Sequence, residues 1–385
     1  MGVRFGVVST YPPTRCGIAT FAESLVTELG RAGAHVGVVS IVDEPQVQVL
    51  PVVQQWQRGS EWSTQSAVRS LDDHDVVIVQ HEYGIFGGED GADVVDLVRR
   101  VHVPVITVLH TVLTQPTPHQ HEVLADLVAV SDGLVTMTET ARDRLIARWQ
   151  VDPRLITVIP HGAHDNRPAL VAGTGEPTRP TMLTWGLLSE GKGIEWALLA
   201  LAELKGSVPL PHYRVVGRTH PKVEEREGEA YRSRLQAMTR DLGLTDDVEF
   251  DDRYLTRDQL ASTIAAADLV LLPYDSREQV TSGVLTEAVA AGRPVVSTSF
   301  PHAVELLSSG AGVLVPQGDA GALAAALRRV LTEPGLSERM ARTSRGLAPS
   351  LLWPTVARRY LELGRDLANG PTQPVRPSLV TRTAV

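Results

Sequence analysis

Residues 268–299, DLVLLPYDSREQVTSGVLTEAVAAGRPVVSTS, carry the pattern that decides the fold. The stretch begins with an apolar run at 268–274, passes through a polar loop into an Ala-rich helix, and ends in a second apolar run at 293–299. Continuous Val- and Leu-rich runs are typical of parallel strands that are buried on both faces. A helix between two such strands makes a βαβ unit, so the stretch predicts a parallel α/β layer.

The same alternation recurs on both sides of this stretch. In the first half the predicted strands are 3–9, 35–42, 75–80, 103–110, 133–138 and 155–160. In the second half the predicted strands are 181–186, 213–217, 248–250, 268–274, 293–299 and 312–316, and the predicted helices are 192–204, 222–241 and 319–332. The sequence therefore predicts an α/β fold with two Rossmann-like, doubly wound parallel-sheet domains that face each other across a cleft.

Chain length agrees with two domains, because 385 residues exceed what one hydrophobic core usually holds. The Gly- and Pro-rich segment 162–180 has the composition of a linker. We place the first domain at 1–170 and the second at 171–349. Residues 370–385 are punctuated by proline and lack apolar periodicity, so we predict a flexible tail there.

Composition narrows the classes of partner. The chain has 36 Lys plus Arg against 45 Asp plus Glu, a net charge of -9, which argues against the broad basic footprint that a nucleic acid needs. The single cysteine, Cys16, cannot form an internal disulfide, which is typical of a reducing compartment. No apolar run approaches the roughly 18 residues that span a bilayer. We expect a cytoplasmic protein with no nucleic-acid partner.

One segment leaves peripheral membrane contact open. The stretch RDRLIARW at 142–149 combines arginines with Leu145, Ile146 and Trp149, a composition found in helices that lie on anionic membranes. The alternative is an ordinary half-buried helix.

The turn at Ser282, Gly283 and Val284 opens the Ala-rich helix of the first stretch. The free N–H groups of a helix start, together with the helix dipole, favour a phosphate or diphosphate. Glu287 lies one turn further and is placed to accept hydrogen bonds from ribose hydroxyls. The alternative is that Ser282 only caps the helix and Glu287 only completes a solvated first turn.

A second candidate phosphate contact lies in TWGLLSEGKGIEW at 184–196, where Gly186 ends a strand and Lys192 precedes a helix. A Walker loop requires Ser or Thr after the lysine, and Gly193 stands there, so an ATPase is disfavoured. A lysine in this position can neutralise the charge that develops on a leaving diphosphate. The alternative is a surface lysine in a turn.

Three residues of the first domain follow predicted strands. Gly17 lies between a strand and a helix, where it lets a ligand approach the backbone closely. His81 and His110 each end a buried strand, so we expect their side chains to point into the cleft. A structural role for either histidine is the alternative.

Several chemistries fail on spacing. No GxGxxG follows the first strand, which disfavours a dehydrogenase, and no GxSxG elbow is present. Asp73–Asp75 precedes its strand, whereas a metal-binding Asp-x-Asp would follow one. The pairs His119 with His121 and His161 with His164 lack the spacing of known zinc motifs. We predict no bound metal and no cofactor.

These motifs together resemble the retaining GT-B glycosyltransferases of glycosyltransferase family 4, the glycosyl transferases group 1. The resemblance covers about 1–367 and is carried by LLPYDSREQVTSGVLTEAVAAGRPVVSTSFPHAVELL, with GLLSEGKGIE, VIPHG, LHT and YPPTRCGIATF in support. It implies a hexosyltransferase that moves a mannose or glucose from a nucleotide-diphosphate sugar to an acceptor hydroxyl. It also implies retention of configuration, metal independence, and catalysis without a protein nucleophile.

The resemblance also assigns roles in the second domain. Glu287 matches the second acid of the family pattern, and the first acid falls on Gln279, whose amide can still bond sugar hydroxyls. Lys192 matches the family's lysine, whereas Leu187 stands where the family usually has arginine. Arg218, at another strand end, is our own candidate to compensate for that missing charge.

In the first domain His110 matches the cleft histidine that contacts the donor sugar, and Gly17 matches one glycine of a double-glycine loop. Related chains send their last helix back to the first domain, and the amphipathic segment 350–369 suits that role with Trp353 as its buried anchor. Domain closure would bring His110 and Gly17 against the second domain's site and exclude water.

Alternatives remain for function and partner. The replacements at Gln279 and Leu187 leave open a catalytically weak nucleotide-sugar-binding protein. A GT-B nucleotide-sugar epimerase is a further alternative, and a phosphorylase is disfavoured because no cofactor-bearing lysine motif is evident. The acceptor is a glycan, a lipid or a small molecule.

Overall fold

The protein is described by a computed structural model that covers residues 2–166, 179–276 and 278–370. Contacts along the chain define two compact units, Met1–Pro160 with Val356–Val385, and His161–Thr355. The predicted boundary at 170, most of the predicted linker and residues 371–385 of the predicted tail lie outside the described residues. Each unit is described separately below.

The first unit is built on a sheet of parallel strands in the order β3-β2-β1-β4-β5-β6-β7. Its elements are β1 (Arg4–Ser9), α1 (Gly17–Arg31), β2 (His35–Val42), β3 (Val52–Gln57), α2 (Glu61–Asp72), β4 (Val76–His81), α3 (Asp93–Arg100), β5 (Val105–Leu109), α4 (Pro118–Val130), β6 (Gly133–Thr136), α5 (Glu139–Trp149) and β7 (Ile156–Val158). The strand order reverses between β1 and β4, which is the switch point where such sheets bind ligands.

The second unit repeats this plan with parallel strands in the order β10-β9-β8-β11-β12-β13. Its elements are β8 (Thr181–Trp185), α6 (Ile194–Leu204), β9 (His212–Val216), α7 (Pro221–Glu227), α8 (Ala230–Asp241), β10 (Val248–Asp251), α9 (Arg257–Ala266), β11 (Leu269–Leu272), α10 (Gly283–Ala290), β12 (Val295–Thr298), α11 (Pro301–Leu307), β13 (Gly312–Val315), α12 (Ala320–Thr332) and α13 (Leu336–Leu351). Its switch point lies between β8 and β11.

The predicted strands are confirmed, with ends shifted by a few residues, and one strand is new. The sequence VVQQWQ of β3 contains three glutamines and no continuous apolar run. The strand lies at the edge of the sheet, where Val52 and Trp56 are buried and Val53 is exposed. An edge strand with one solvated side does not need the apolar run that signals a buried strand.

Two predicted helices are broken. The helix predicted over 222–241 is divided into α7 and α8 at Gly228, which has φ +60° and so leaves the helical region. The helix predicted from residue 350 is divided at Leu352, because Ala163 N–H donates to Leu351 O at 2.8 Å and Trp353 N–H donates to Ala163 O at 2.9 Å. That bridge uses backbone groups that a continuous helix would need.

The last helix, α14 (Trp353–Asn369), passes from the second unit into the first at Val356. A side chain at Gly364 would lie 2.4 Å from Phe5 Cζ and 3.3 Å from Val76 Cγ1, so the helix packs closely on β1 and β4. Trp353 is buried, as predicted. Its ring, however, contacts Gly162 within the second unit, where a Cβ would meet it at 2.2 Å.

The segment proposed for membrane contact lies in α5 and makes internal contacts. The Trp149 ring stacks on His121 with centroids 5.0 Å apart, and its Nε1–H donates to His121 O at 3.1 Å. Arg144 donates to Val112 O at 2.8 Å. These contacts are those of a half-buried helix. None of the helices in the described ranges combines the length and apolarity that crossing a bilayer requires.

Candidate active site

The start of α10 presents two open backbone donors. Ser282 is the N-cap residue: its Oγ accepts from Leu285 N–H at 3.2 Å, and its own N–H donates to His302 Nδ1 at 2.8 Å. Within the described part of the chain, the N–H groups of Gly283 and Val284 have no acceptor. Free amides at a positive helix end are suited to an anion.

A histidine ring explains why glycine opens this helix. A Cβ on Gly283 would lie 2.8 Å from both Cε1 and Nε2 of His161, which is too close for any side chain. His161 is held in place because its Nδ1–H donates to Gly162 O at 2.7 Å. Burial lowers the pKa of His161 below its ordinary value, so the ring is neutral near pH 7.

Glu287 lies one turn into α10, and its carboxylate binds the segment that follows β7. Oε1 accepts from His164 N–H at 3.1 Å and from His164 Nδ1–H at 2.9 Å, and Oε2 accepts from Asn166 Nδ2–H at 3.3 Å. A carboxylate offers about four acceptor positions, so these bonds leave room for one more donor. In this conformation Glu287 fastens residues 161–166 to the helix.

Gln279, which stands at the family's first acid, lies in the loop before α10. Its Nε2–H donates to Thr281 O, and the side chain is half-buried. The amide is therefore attached to the same loop that leads into the helix start at Ser282.

Lys192 lies over the aromatic ring of Tyr274, with Nζ 4.4 Å from the ring centroid. Tyr274 follows β11, is buried, and stacks on Phe300 at 5.2 Å. Asp275 N–H donates to Gly191 O at 3.2 Å, which joins the lysine's loop to the chain leading into α10. Among the residues that the structure describes, no carboxylate forms an ion pair with Lys192, so its charge is available to an anion.

Two glycines bring the neighbouring loops together. Gly186 has φ +118° and Gly217 has φ +139°, a region that other residues rarely adopt. A Cβ on Gly217 would lie 2.1 Å from Gly186 O, and a Cβ on Gly186 would lie 3.6 Å from Val284 Cγ2. The loop after β8 therefore contacts the first turn of α10. The structure groups Gly186, Lys192 and Ser282–Val284 at the switch point of the second sheet.

Arg218 lies beside the loop that carries Leu187. Leu188 N–H donates to Arg218 O at 2.8 Å, and His220 N–H donates to Leu188 O at 2.8 Å. The guanidinium is exposed and pairs with Glu224 at 3.3 Å, so part of its charge is already compensated. Burial, with the nearby charges of Lys222, Lys192 and Arg226, lowers the pKa of His220.

In the first unit, α1 begins at the end of β1 with Cys16 as its N-cap residue. Cys16 Sγ accepts from Ala19 N–H at 3.4 Å and lies 3.2 Å from Thr10 Oγ1. A Cβ on Gly17 would meet no described atom within 4 Å, so its α-carbon faces open space. Close approach of a ligand to Gly17 stays a prediction.

His110 follows β5 and is oriented by two neighbours. Its Nε2 lies 2.7 Å from Gln80 Oε1, and since an amide oxygen only accepts, Nε2 carries the hydrogen. Its ring meets Phe21 edge-on at 4.9 Å. His110 is half-buried, and its contact with a sugar stays a prediction.

The expectation that His81 points into an open cleft is wrong in this conformation. Its side chain is fully buried, stacks on Phe86 at 6.1 Å and meets Tyr83 edge-on at 5.0 Å. Burial lowers the pKa of His81 to about 4. Neither ring nitrogen has a hydrogen-bond partner within the described residues. Its strand turns the side chain into the core instead.

Histidines of the pairs considered for metal binding have other partners in the structure. His164 binds Glu287, and His121 stacks on Trp149. His119 instead lies near Glu89 and Asp90, with one ligand atom from each of the three within 4.8 Å of the others. His119 Nδ1–H donates to Asp90 Oδ2 at 2.9 Å, and hydrogen bonding to Asp90 raises the pKa of His119.

Sequence reasoning missed three residues of the second unit's site. His302, His164 and Asn166 bond to Ser282 or Glu287 from 20, 123 and 121 residues away. No local spacing signals such contacts, because only the order of the strands brings the residues together. The motif VIPHG did indicate His161, without its role against the helix.

The fold and this site define the class. Two parallel α/β units with polar loops at a switch point are the GT-B architecture, and the predicted fold class is confirmed. The Anabaena protein HepE, solved in complex with UDP and glucose, matches with a TM-score of 0.74 and 16% identity, over 95% of this chain and 100% of that chain. Residues 179–333, within the second unit, match the family described as Glycosyl transferases group 1.

Curated relatives share part of the chain. The glycogen synthase of Mycobacterium tuberculosis (strain CDC 1551 / Oshkosh) is 28% identical over 256 residues, 66% of this chain and 59% of that protein. The D-inositol 3-phosphate glycosyltransferase of Streptomyces bingchenggensis (strain BCW-1) is 29% identical over 225 residues, 56% of this chain and 48% of that protein. The matches thus span about half of the relatives' own length.

Proposed function

We propose that this chain is a retaining glycosyltransferase that moves a hexose from a nucleotide-diphosphate sugar to an acceptor hydroxyl. The observation that carries the proposal is the pair of open amides at Gly283 and Val284, next to a loop whose lysine has no described ion-pair partner. The group 1 domain over 179–333 supports it. So do relatives and a structural neighbour whose names refer to glycosyl transfer, UDP and glucose.

The phosphates would bind at the α10 start. Gly283 and Val284 donate neutral hydrogen bonds to one phosphate, and the helix dipole adds to their effect. Lys192 supplies the mobile positive charge that stabilises the leaving diphosphate as the bond to the sugar breaks. Arg218 lies at the edge of the site. Its guanidinium adds positive charge there when it moves away from Glu224.

The reaction balances without a protein nucleophile. The bond between the anomeric carbon and the diphosphate oxygen breaks, and the acceptor oxygen bonds to the same face of that carbon. The proton of the acceptor hydroxyl goes to a phosphate oxygen of the leaving group. His110, with Nε2–H oriented by Gln80, contacts the donor sugar, and Gln279 bonds its hydroxyls. Glu287 accepts a ribose hydroxyl at its remaining acceptor position.

The proposed reaction also has expected requirements for metal, cofactor, acceptor and compartment. The reaction needs no bound metal or cofactor, because the helix start and Lys192 carry the charge compensation that a metal supplies elsewhere. The acceptor is a glycan, a lipid or a small molecule, and the enzyme works in the cytoplasm. The membrane contact proposed for 142–149 would require Trp149 to leave His121.

A nucleotide-sugar-binding protein with weak activity is the second candidate. Gln279 and Leu187 favour it, because they stand where the resembled family has charged residues and leave less charge for catalysis. Donor turnover separates the two functions, since a binder holds the donor without releasing nucleotide. Product analysis also separates an epimerase, which yields an isomeric nucleotide-sugar and no free nucleoside diphosphate.

The test is a panel of nucleotide-sugars, led by UDP-glucose and GDP-mannose. A donor that binds the native state raises its melting temperature by mass action. The donor so identified is then followed for nucleoside diphosphate release, with and without an added chelator. We expect binding, and release that persists with the chelator. A panel in which no donor stabilises the protein would contradict the proposal.

A further inference from the structure

The topology brings a histidine from another βα unit to the phosphate site. α10 follows β11 and α11 follows β12, and these strands are parallel neighbours. The starts of both helices therefore lie at the same edge of the sheet. His302 is the second residue of α11, and 5% of its surface is exposed. It reaches Ser282, the residue that caps α10.

One nitrogen of His302 is already used. Ser282 N–H donates to Nδ1 at 2.8 Å, and a nitrogen that accepts carries no hydrogen. The hydrogen of the neutral ring is therefore on Nε2. Burial, with a smaller contribution from His161, lowers the pKa of His302 to about 3, so the ring stays neutral at physiological pH.

The other nitrogen is available to a ligand. The ring's Nε2–H has no acceptor among the described residues, and the residue is nearly buried, so Nε2 can donate to a group that enters beside the helix start. The ring lies by the N-cap of α10, and it is close enough to His161 for that residue to lower its pKa. His161 in turn covers Gly283. Both rings thus border the first turn of α10, where two amides are also open.

We propose that His302 binds the ligand: its Nε2–H donates to a phosphate oxygen of the nucleoside diphosphate held by the amides of Gly283 and Val284. The inference rests on the proposed function and adds a residue to its phosphate site. His302 then has two tasks. Through Nδ1 it fixes the cap of the helix, and through Nε2 it supplies a donor that needs no protonation.

Substitution can separate these two tasks. In His302→Asn the amide oxygen stands near the position of Nδ1 and can still accept from Ser282 N–H, whereas the Nε2 donor is lost. The experiment measures UDP and GDP affinity by calorimetry and the melting temperature of each variant. We expect His302→Asn to keep the melting temperature within a few degrees and to lose about tenfold in affinity, as for one hydrogen bond to a charged group.

His212→Asn is the matched control, because His212 lies at the opposite end of β9 and pairs with Glu249. We expect it to bind as the wild type does. If His302→Asn binds UDP as tightly as the wild type, the inference is overturned while the proposed function stands. If the wild type binds neither nucleotide, both are overturned.

A second measurement covers the case in which the variant does not fold. In the wild type, nitrogen-15 resonances of the His302 ring report which nitrogen carries hydrogen. We expect the Nε2–H form before and after UDP is added, with a clear shift of the Nε2 resonance at saturation. An unchanged Nε2 resonance in the UDP-saturated protein would overturn the inference.

Discussion

Removing the charge of Lys192 tests the proposed phosphate site. Lys192→Met keeps an unbranched aliphatic side chain and removes the ammonium that lies over the Tyr274 ring. Its loss costs a cation–π contact of about 0.5–1 kcal/mol in the free protein, and about 1.5–3 kcal/mol of charge-assisted bonding in the complex. The difference between these terms predicts nucleoside diphosphate affinity roughly tenfold weaker.

Calorimetry with UDP or GDP, whichever the wild type binds, measures this change. The control is Lys205→Met, because Lys205 donates to Gly243 O just after α6, away from the strands' carboxyl ends. Wild-type affinity should fall between low and high salt, and the fall should be smaller in Lys192→Met, since one screened charge is gone. Equal affinity of Lys192→Met and the wild type at low salt would show that Lys192 does not contact the phosphates.

Three further predictions follow from the same contacts. Gly283→Ala should weaken nucleotide binding at least tenfold, because its Cβ would displace the His161 ring, whereas Gly346→Ala, with open space around it, should bind normally in the same calorimetric assay. Stability should fall by about 2 kcal/mol through His302 between pH 7 and about pH 5, since the unfolded histidine, with a pKa near 6.5, takes up a proton that the folded ring refuses. Urea unfolding at both pH values checks this, and a His302→Asn variant with the same slope would contradict it. Gln279→Glu should raise donor turnover about fivefold if the residue bonds sugar hydroxyls, because ionised acceptors bond more strongly, and an unchanged rate would remove that role.

Much of the fold could be predicted from the sequence, because a strand buried on both faces must be apolar throughout. Continuous apolar runs such as 35–42 and 268–274 therefore indicated the strands β2 and β11. The edge strand β3 was not predicted, because a strand with one solvated side can contain glutamines and needs no continuous apolar run. The helix break at Leu352 was not predicted either. A backbone bridge to Ala163 causes it, and no sequence pattern near residue 352 indicates that bridge.

Some residues of the candidate site could be predicted from local sequence signals, and others could not. The helix start at Ser282 and the loop of Lys192 could be predicted, because caps, glycines and strand ends are local signals. The partners of Ser282 and Glu287 could not, since His302 and His164 arrive through strand order. The orientation of His81 could not be predicted from spacing, because a residue that ends a strand can face either the core or the solvent.

Phosphate binding by the amides of Gly283 and Val284 can be observed in the resonances of these two amides. The measurement is a titration of the isotope-labelled protein with the nucleoside diphosphate it binds, followed by the amide proton and nitrogen shifts of these two residues. We expect both amide protons to move downfield and to saturate with the calorimetric affinity. If both stay unchanged while amides elsewhere saturate, the nucleotide binds at another place and the start of α10 is not the phosphate site.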